Sequence, residues 1–175
     1  MPEYVAFLRA VNVGKRQVKM AALRAHLEEH GFRDVETYIA SGNVKLSASL
    51  RSSAKAEREL ETALESLLGF DVPTIVRTPG DLKAAFEAGA RLQPAFPEGR
   101  HYVTFLKDEP SPDAATRLAG WDEAGERVTM IGREAHLWLA SVSPKLTNTR
   151  LERILGTIGT ARDWKTVTKL VALWC

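Results

Sequence analysis

Tyr4-Val5-Ala6-Phe7-Leu8-Arg9 and Tyr102-Val103-Thr104-Phe105-Leu106-Lys107 share Tyr, Val, Phe and Leu in register, and each closes on a basic residue. Both are β-rich and nearly continuous in apolar character, as a strand buried on both faces is. The segments downstream of the two strands are also alike. After the first, Asn12–Gln17 breaks the pattern as a loop, and the spacing of Met20, Leu23 and Leu27 predicts a helix from about Met20 to His30, closed by Gly31. Val35–Ile39 and Val44–Leu46 read as short strands around the turn Ala40-Ser41-Gly42-Asn43. A helix from about Ala54 to Leu68, closed by Gly69, and a strand over Val72–Arg77 come next. Thr78-Pro79-Gly80-Asp81 has the composition of a helix start.

After the second strand, Ser111-Pro112 starts a short helix that ends near Gly120. Arg127–Ile131 and Ala135–Ala140 form a hairpin around Gly132-Arg133, and helices run over about Arg150–Leu155 and Ala161–Trp174. The first half is thus β-α-β-β-α-β, the split βαβ order of a ferredoxin-like sandwich, and the second is β-α-β-β-α with a helix where the last strand is expected. Gln93–Gly99, with two prolines and a glycine, sets the boundary between residues 1–92 and 93–175. The reading is an α+β fold of two tandem ferredoxin-like units made by duplication, the second ending in an extra C-terminal helix. The plain alternative is that buried strands resemble one another by composition.

Composition excludes more than it identifies. Of 175 residues, 45% are hydrophobic and 26% charged, so disordered, collagen-like and coiled-coil classes fall away. No apolar run approaches the ~20 residues that span a bilayer, and Met1-Pro2-Glu3-Tyr4 lacks the pattern of a signal peptide. The single cysteine, Cys175, allows neither an internal disulfide nor a cysteine-rich zinc site. A cytoplasmic protein without membrane association, metal or cofactor is the expectation.

Catalytic patterns are weak. His26-Leu27-Glu28-Glu29-His30 fits H-x-x-E-H, but catalytic zinc also needs a third ligand, and His30 sits where an imidazole interacts with the last helical carbonyls. Gly14-Lys15 lacks the first glycine of a phosphate loop, since Arg9 stands there. Gly156-Thr157-Ile158-Gly159 has the spacing of a nucleic-acid-clamping loop but no basic residue between its glycines. Ser41 has no nucleophile-elbow context, and Cys175 ends an apolar run that packs rather than reacts. No carboxylate pair stands out for acid–base work.

Charge is more informative. Residues 1–24 carry Arg9, Lys15, Arg16, Lys19 and Arg24 against Glu3, a net of +4. Residues 141–175 also carry +4, from Lys145, Arg150, Arg153, Arg162, Lys165 and Lys169 against Glu152 and Asp163. The chain total is +2, so the middle is acidic. Basic ends point either to an anion-attracting surface or to solvated helix faces. Thr149 and Glu152 are spaced as a capping box, and Thr160-Ala161-Arg162-Asp163 reads as the start of the last helix. A helix start beside an arginine favours phosphate or carboxylate, although such threonines also serve simply as caps. Trp164 beside Lys165 suits either base stacking or the core.

Ala6–Lys15 (A-F-L-R-A-V-N-V-G-K), Val18–Arg24, Gly31–Val44, Lys145–Asn148 (K-L-T-N) and Thr160–Leu170 (T-A-R-D-W-K-T-V-T-K-L) resemble the uncharacterised bacterial domain-of-unknown-function family 1697 over nearly the whole chain. The resemblance implies two ferredoxin-like units and no established activity, substrate or cofactor. Two departures stand out: relatives have two adjacent glycines where only Gly14 is found here, and Asn where this chain has Asp163. The shared motifs coincide with the basic ends. The candidate ligand-binding residues are therefore Asn12, Gly14, Lys15, Arg16 and Lys19 in the first loop, Ser41 and Asn43 in the hairpin turn, and Lys145, Thr147, Asn148, Arg162 and Lys165 near the C-terminus. In the ferredoxin-like topology the first loop and the hairpin turn are expected at opposite ends of the sheet. The leading expectation is a binding module for a phosphate-bearing or other anionic small molecule, or for nucleic acid. The alternatives are a small enzyme with a site near Asn148 and Arg162, and a homo-oligomeric self-association module.

Overall fold

The computed structural model describes all residues from Met1 to Cys175. The fold is mixed α+β, with two four-stranded antiparallel sheets and six helices. The chain divides into two compact units, Met1–Leu82 with Trp174–Cys175, and Lys83–Leu173.

The first unit contains β1 (Glu3–Leu8), α1 (Met20–Glu29), β2 (Arg33–Tyr38), β3 (Asn43–Ser47), α2 (Ser53–Leu68) and β4 (Thr74–Arg77), with strand order β2-β3-β1-β4. Tyr4, Ala6 and Leu8 of β1 pack with Leu23 and Leu27 of α1 and Leu60 and Leu64 of α2 in one core. Val5 and Phe7, on the other face of the same strand, have no exposed surface. That two-sided burial is why β1 reads as an unbroken apolar run. The strand stops at Leu8 because Ala10 and Asn12 take φ of 56° and 57°, outside the extended region. α2 starts on the Ser52 hydroxyl, which accepts from Lys55 N–H at 3.3 Å, and ends on Gly69 at φ 74°.

After α3 (Pro79–Arg91), which starts on reciprocal Thr78–Asp81 hydrogen bonds of 3.0 and 3.1 Å, the pattern repeats. The second sheet is formed by β5 (Arg100–Leu106), β6 (Glu126–Ile131), β7 (Glu134–Leu139) and β8 (Gly159–Asp163), in the order β6-β7-β5-β8. α4 (Pro112–Ala119) and α5 (Asn148–Leu155) pack on one face through Leu118, Leu151 and Leu155, and α6 (Trp164–Trp174) closes the chain.

Strand β8 corrects the sequence reading. Gly159–Asp163 is not the first turn of the last helix but the missing strand, paired with β5 from Tyr102↔Asp163 to Leu106↔Gly159. A short polar segment has little strand signature of its own; its pairing with β5 makes it one. The register matches that of the first sheet. Val5 faces Arg77 and Val103 faces Arg162, while Leu8 faces Thr74 and Leu106 faces Gly159. The edge strands are held alike as well. Glu61 of α2 accepts from Thr74 N–H at 3.0 Å, and Glu152 of α5 accepts from Gly159 N–H at 3.1 Å. Glu152 therefore serves β8 and not the capping box expected with Thr149. The cap of α5 is Thr147, whose hydroxyl accepts from Arg150 N–H at 3.2 Å.

Candidate functional site

The first loop and the hairpin turn lie at the same end of the first sheet, against the expectation of opposite ends. β1 and β3 are antiparallel neighbours with Phe7 facing Asn43, so the end of one strand adjoins the start of the other. Leu8 N–H donates to Gly42 O at 2.8 Å. Asn12 completes the junction. Its Nδ2 donates to Ala40 O at 2.7 Å, and its Oδ1 accepts from Val18 N–H, also at 2.7 Å. One side chain thus ties both limbs of the loop to the hairpin.

The loop is a tight excursion in which Asn12 N–H donates to Arg16 O and Arg16 N–H to Val13 O. Gly14 turns it at φ 58°, and no other residue from Val13 to Lys19 has a positive φ. Lys15, Arg16 and Lys19 are exposed, with the Arg16 guanidinium 4.7 Å from the Phe70 ring centre. Asn43 is fully buried and donates to Tyr38 O and Ser41 Oγ, so these two polar residues shape the turn. The helical histidines are likewise engaged: His26 Nε2 lies 2.8 Å from Ala63 O, and His30 Nδ1 lies 2.8 Å from His26 O.

In the second unit the predicted residues divide between the two faces of the sheet. On the helical face, segment 141–147 is pinned by Glu126. Its carboxylate accepts from Lys145 N–H, from Leu146 N–H at 3.0 Å and from the Trp121 indole at 3.0 Å. Lys145 Nζ pairs with Glu123 at 2.6 Å. Beneath this segment lies a cavity of about 260 Å³, bounded by Arg100, Tyr102, Thr104, Asn148 and Ala161 among others.

Arg162 is the next residue after Ala161 in β8, so it faces the other side of the sheet. It is buried, and its guanidinium donates to Thr160 Oγ1 at 2.8 Å and to Ala161 O at 2.9 Å. Burial lowers its pKa to about 10 against the opposing charge of Asp163, which leaves it a cation at neutral pH. Asn148 and Arg162 therefore do not converge on one site. Asp163 caps α6, its carboxylate accepting from Thr166 N–H at 2.7 Å, so the last helix start already carries its own anion. Asn caps about as well as Asp, so an asparagine at this position would hold the same cap. Lys165 is exposed on α6.

The sequence reading missed a cluster on this second face. His101 is stacked between Trp138 and Trp164, with ring centres 4.5 and 4.3 Å away, and Phe86 continues the stack on Trp164. Trp164 is thus engaged by these rings. His101 Nε2 lies 3.2 Å from His136 Nδ1, and burial lowers both imidazoles to about 4, so both are neutral at pH 7. Arg77, the fully buried counterpart of Arg162 in β4, was also overlooked; it donates to Val76 O at 3.0 Å. The signal for it was present, since both arginines stand just before a helix-capping residue.

No helix is long and apolar enough to cross a membrane. No curated protein matches the sequence. Among solved structures the chain is similar to the conserved bacterial protein SP0830 from Streptococcus pneumoniae, with 25% identity, a TM-score of 0.75, and coverage of 99% of this chain and 98% of that one. Residues 1–136 match the family model described as protein of unknown function, DUF1697. The chain therefore belongs to the DUF1697 family.

Proposed function

We propose that this protein is a binding module for a phosphate-bearing anion, nucleic acid included, and that the loop Asn12–Lys19 with the adjoining hairpin turn carries the contact. The observation that supports this most is the double tether of Asn12, which holds a basic, exposed loop against the Ser41–Asn43 turn. Lys15 and Lys19 stand in solvent on a loop whose backbone is already fixed, so little ordering entropy opposes ligand capture. The excess positive charge of residues 1–24 gives the attraction its sign. We read the scaffold as two ferredoxin-like units descended from one by duplication. Shared strand order, matched register, paired buried arginines and the edge-strand glutamates favour that origin.

Fluorescence anisotropy with a labelled single-stranded oligonucleotide at low salt tests the reading. Binding weakens as salt rises, and replacing Lys15 and Lys19 together by Ala flattens the log–log salt dependence by about two phosphate contacts. An unchanged affinity and slope in the double variant would overturn it.

A further inference from the structure

Independently of that reading, we infer that the groove lined by the aromatic stack of the second unit is a binding site for a small uncharged aromatic molecule, whose ring face lies against the edges of the stack. The argument starts with the order of the rings. Trp138, His101, Trp164 and Phe86 follow one another in a single stack, with ring centres 4.5, 4.3 and 5.1 Å apart and planes within 19° of parallel. His101 and Trp164 are the inner members, so neighbouring rings cover both of their faces. Each nonetheless lines the groove and is only partly buried. What these two rings present to the groove is therefore edge. An aromatic edge carries the positive part of the ring quadrupole and prefers the electron-rich face of another aromatic ring. The same edge offers nothing to a cation, which seeks a ring face.

The groove has a volume of about 530 Å³, within the range of small-molecule sites. Leu92, Pro94, Phe96 and Pro97 of segment 92–99 supply much of the remaining lining. That segment is braced: Gly99 N–H donates to Phe96 O at 3.1 Å, and a Cβ on Gly99 would come within 2.9 Å of Phe96 Cβ. Gly89 lets α3 close on the stack, since a Cβ there would lie 2.7 Å from both His136 and Trp164. The lining thus stands in place before a ligand arrives, and little ordering opposes its entry. No Asp, Glu, Lys or Arg lines the space. Burial lowers the His101 and His136 imidazoles to about 4, so they add no charge at pH 7. The Thr168 hydroxyl, also in the lining, already donates to Trp164 O at 2.8 Å. A charged ligand would lose its hydration here without gaining an ionic partner, which leaves an uncharged one. An aliphatic molecule of equal size fills the same space but has no π face to set against the edges.

The test is NMR titration of the full chain with 2-phenylethanol, 2-cyclohexylethanol, 2-phenylethylammonium and phenylacetate. The aromatic alcohol should shift the indole N–H signals of Trp138 and Trp164 and the amides between Phe86 and His101. It should leave unmoved the indole of Trp121, which is bonded to Glu126 and lies outside the lining. It should bind about threefold tighter than the cyclohexyl alcohol and about tenfold tighter than either ion. Phe96→Ala removes a ring from the lining without removing a member of the stack, and should weaken 2-phenylethanol about fivefold. Trp164→Leu, which interrupts the stack, should abolish the preference for the aromatic alcohol. Shifts that do not saturate or that fall elsewhere, equal affinity for the two alcohols, or wild-type affinity in Phe96→Ala would overturn the proposal. Should Trp164→Leu fail to fold, the wild-type comparison of the four probes and Phe96→Ala decide it alone.

Discussion

Acidification should weaken the second unit through His136. This side chain has no exposed surface, its Nε2 has no partner, and Gly89 packs so closely that a Cβ there would lie 2.7 Å from the imidazole. Burial lowers the folded pKa from 6.5 to about 4, so the folded imidazole stays neutral while an unfolded one takes up a proton near 6.5. The stabilising contribution is therefore complete above pH 6.5, is lost progressively as pH falls towards 4, and stops changing below that. The full shift corresponds to about 3 kcal/mol, of which about 2 kcal/mol is lost by pH 5. His101 shifts in the same direction, but it is partly exposed and its share is screened. Urea unfolding monitored by tryptophan fluorescence reads this out, because Trp121, Trp138 and Trp164 all belong to the second unit. Between pH 7 and pH 5 the wild type should lose about 2 kcal/mol more than His136→Leu does. Equal losses in the two proteins would refute the reasoning.

Local geometry sets three further expectations. Gly42 sits at φ 84°, and a Cβ there would lie 2.8 Å from Leu8 Cβ; Gly42→Ala should cost about 2 kcal/mol or more by chemical denaturation. Glu126→Gln removes a carboxylate that accepts from two backbone amides and an indole, and should cost about 2 kcal/mol and loosen segment 141–147 in hydrogen exchange. Asp163→Asn should stay within about 0.5 kcal/mol of wild type, whereas Asp163→Ala should lose about 1 kcal/mol of thermal stability with the α6 cap.

The scaffold was legible where burial writes itself into composition. β1 and β5 are buried on both faces over Val5–Leu8 and Val103–Leu106, and the Val, Phe and Leu they share in register make both readable as strands. β8 was not legible, because Thr160, Arg162 and Asp163 resemble a cap and a helix start, and only pairing with β5 makes them a strand. Comparison with Thr74-Ile75-Val76-Arg77 would have exposed it, since both segments end on arginine before a cap. The meeting of the first loop and the hairpin was misjudged through strand direction, not through any residue. The lysines of the loop were visible as charge, but the role of Asn12 depends on Ala40, which is distant in sequence. Arg162 misled because a buried guanidinium and an exposed one look the same in a sequence. Thr104 stands in register with the buried Ala6 of β1 when the two similar strands are aligned, a buried polar residue where β1 has a methyl group.

The most direct test of the anion-binding account is amide NMR of the full chain titrated with inorganic pyrophosphate and with a short single-stranded oligonucleotide at low salt. The account predicts shifts in Asn12–Lys19 and Ser41–Asn43 that fade as salt is raised. Titrations that leave those amides unmoved, or that move only residues elsewhere, would contradict it.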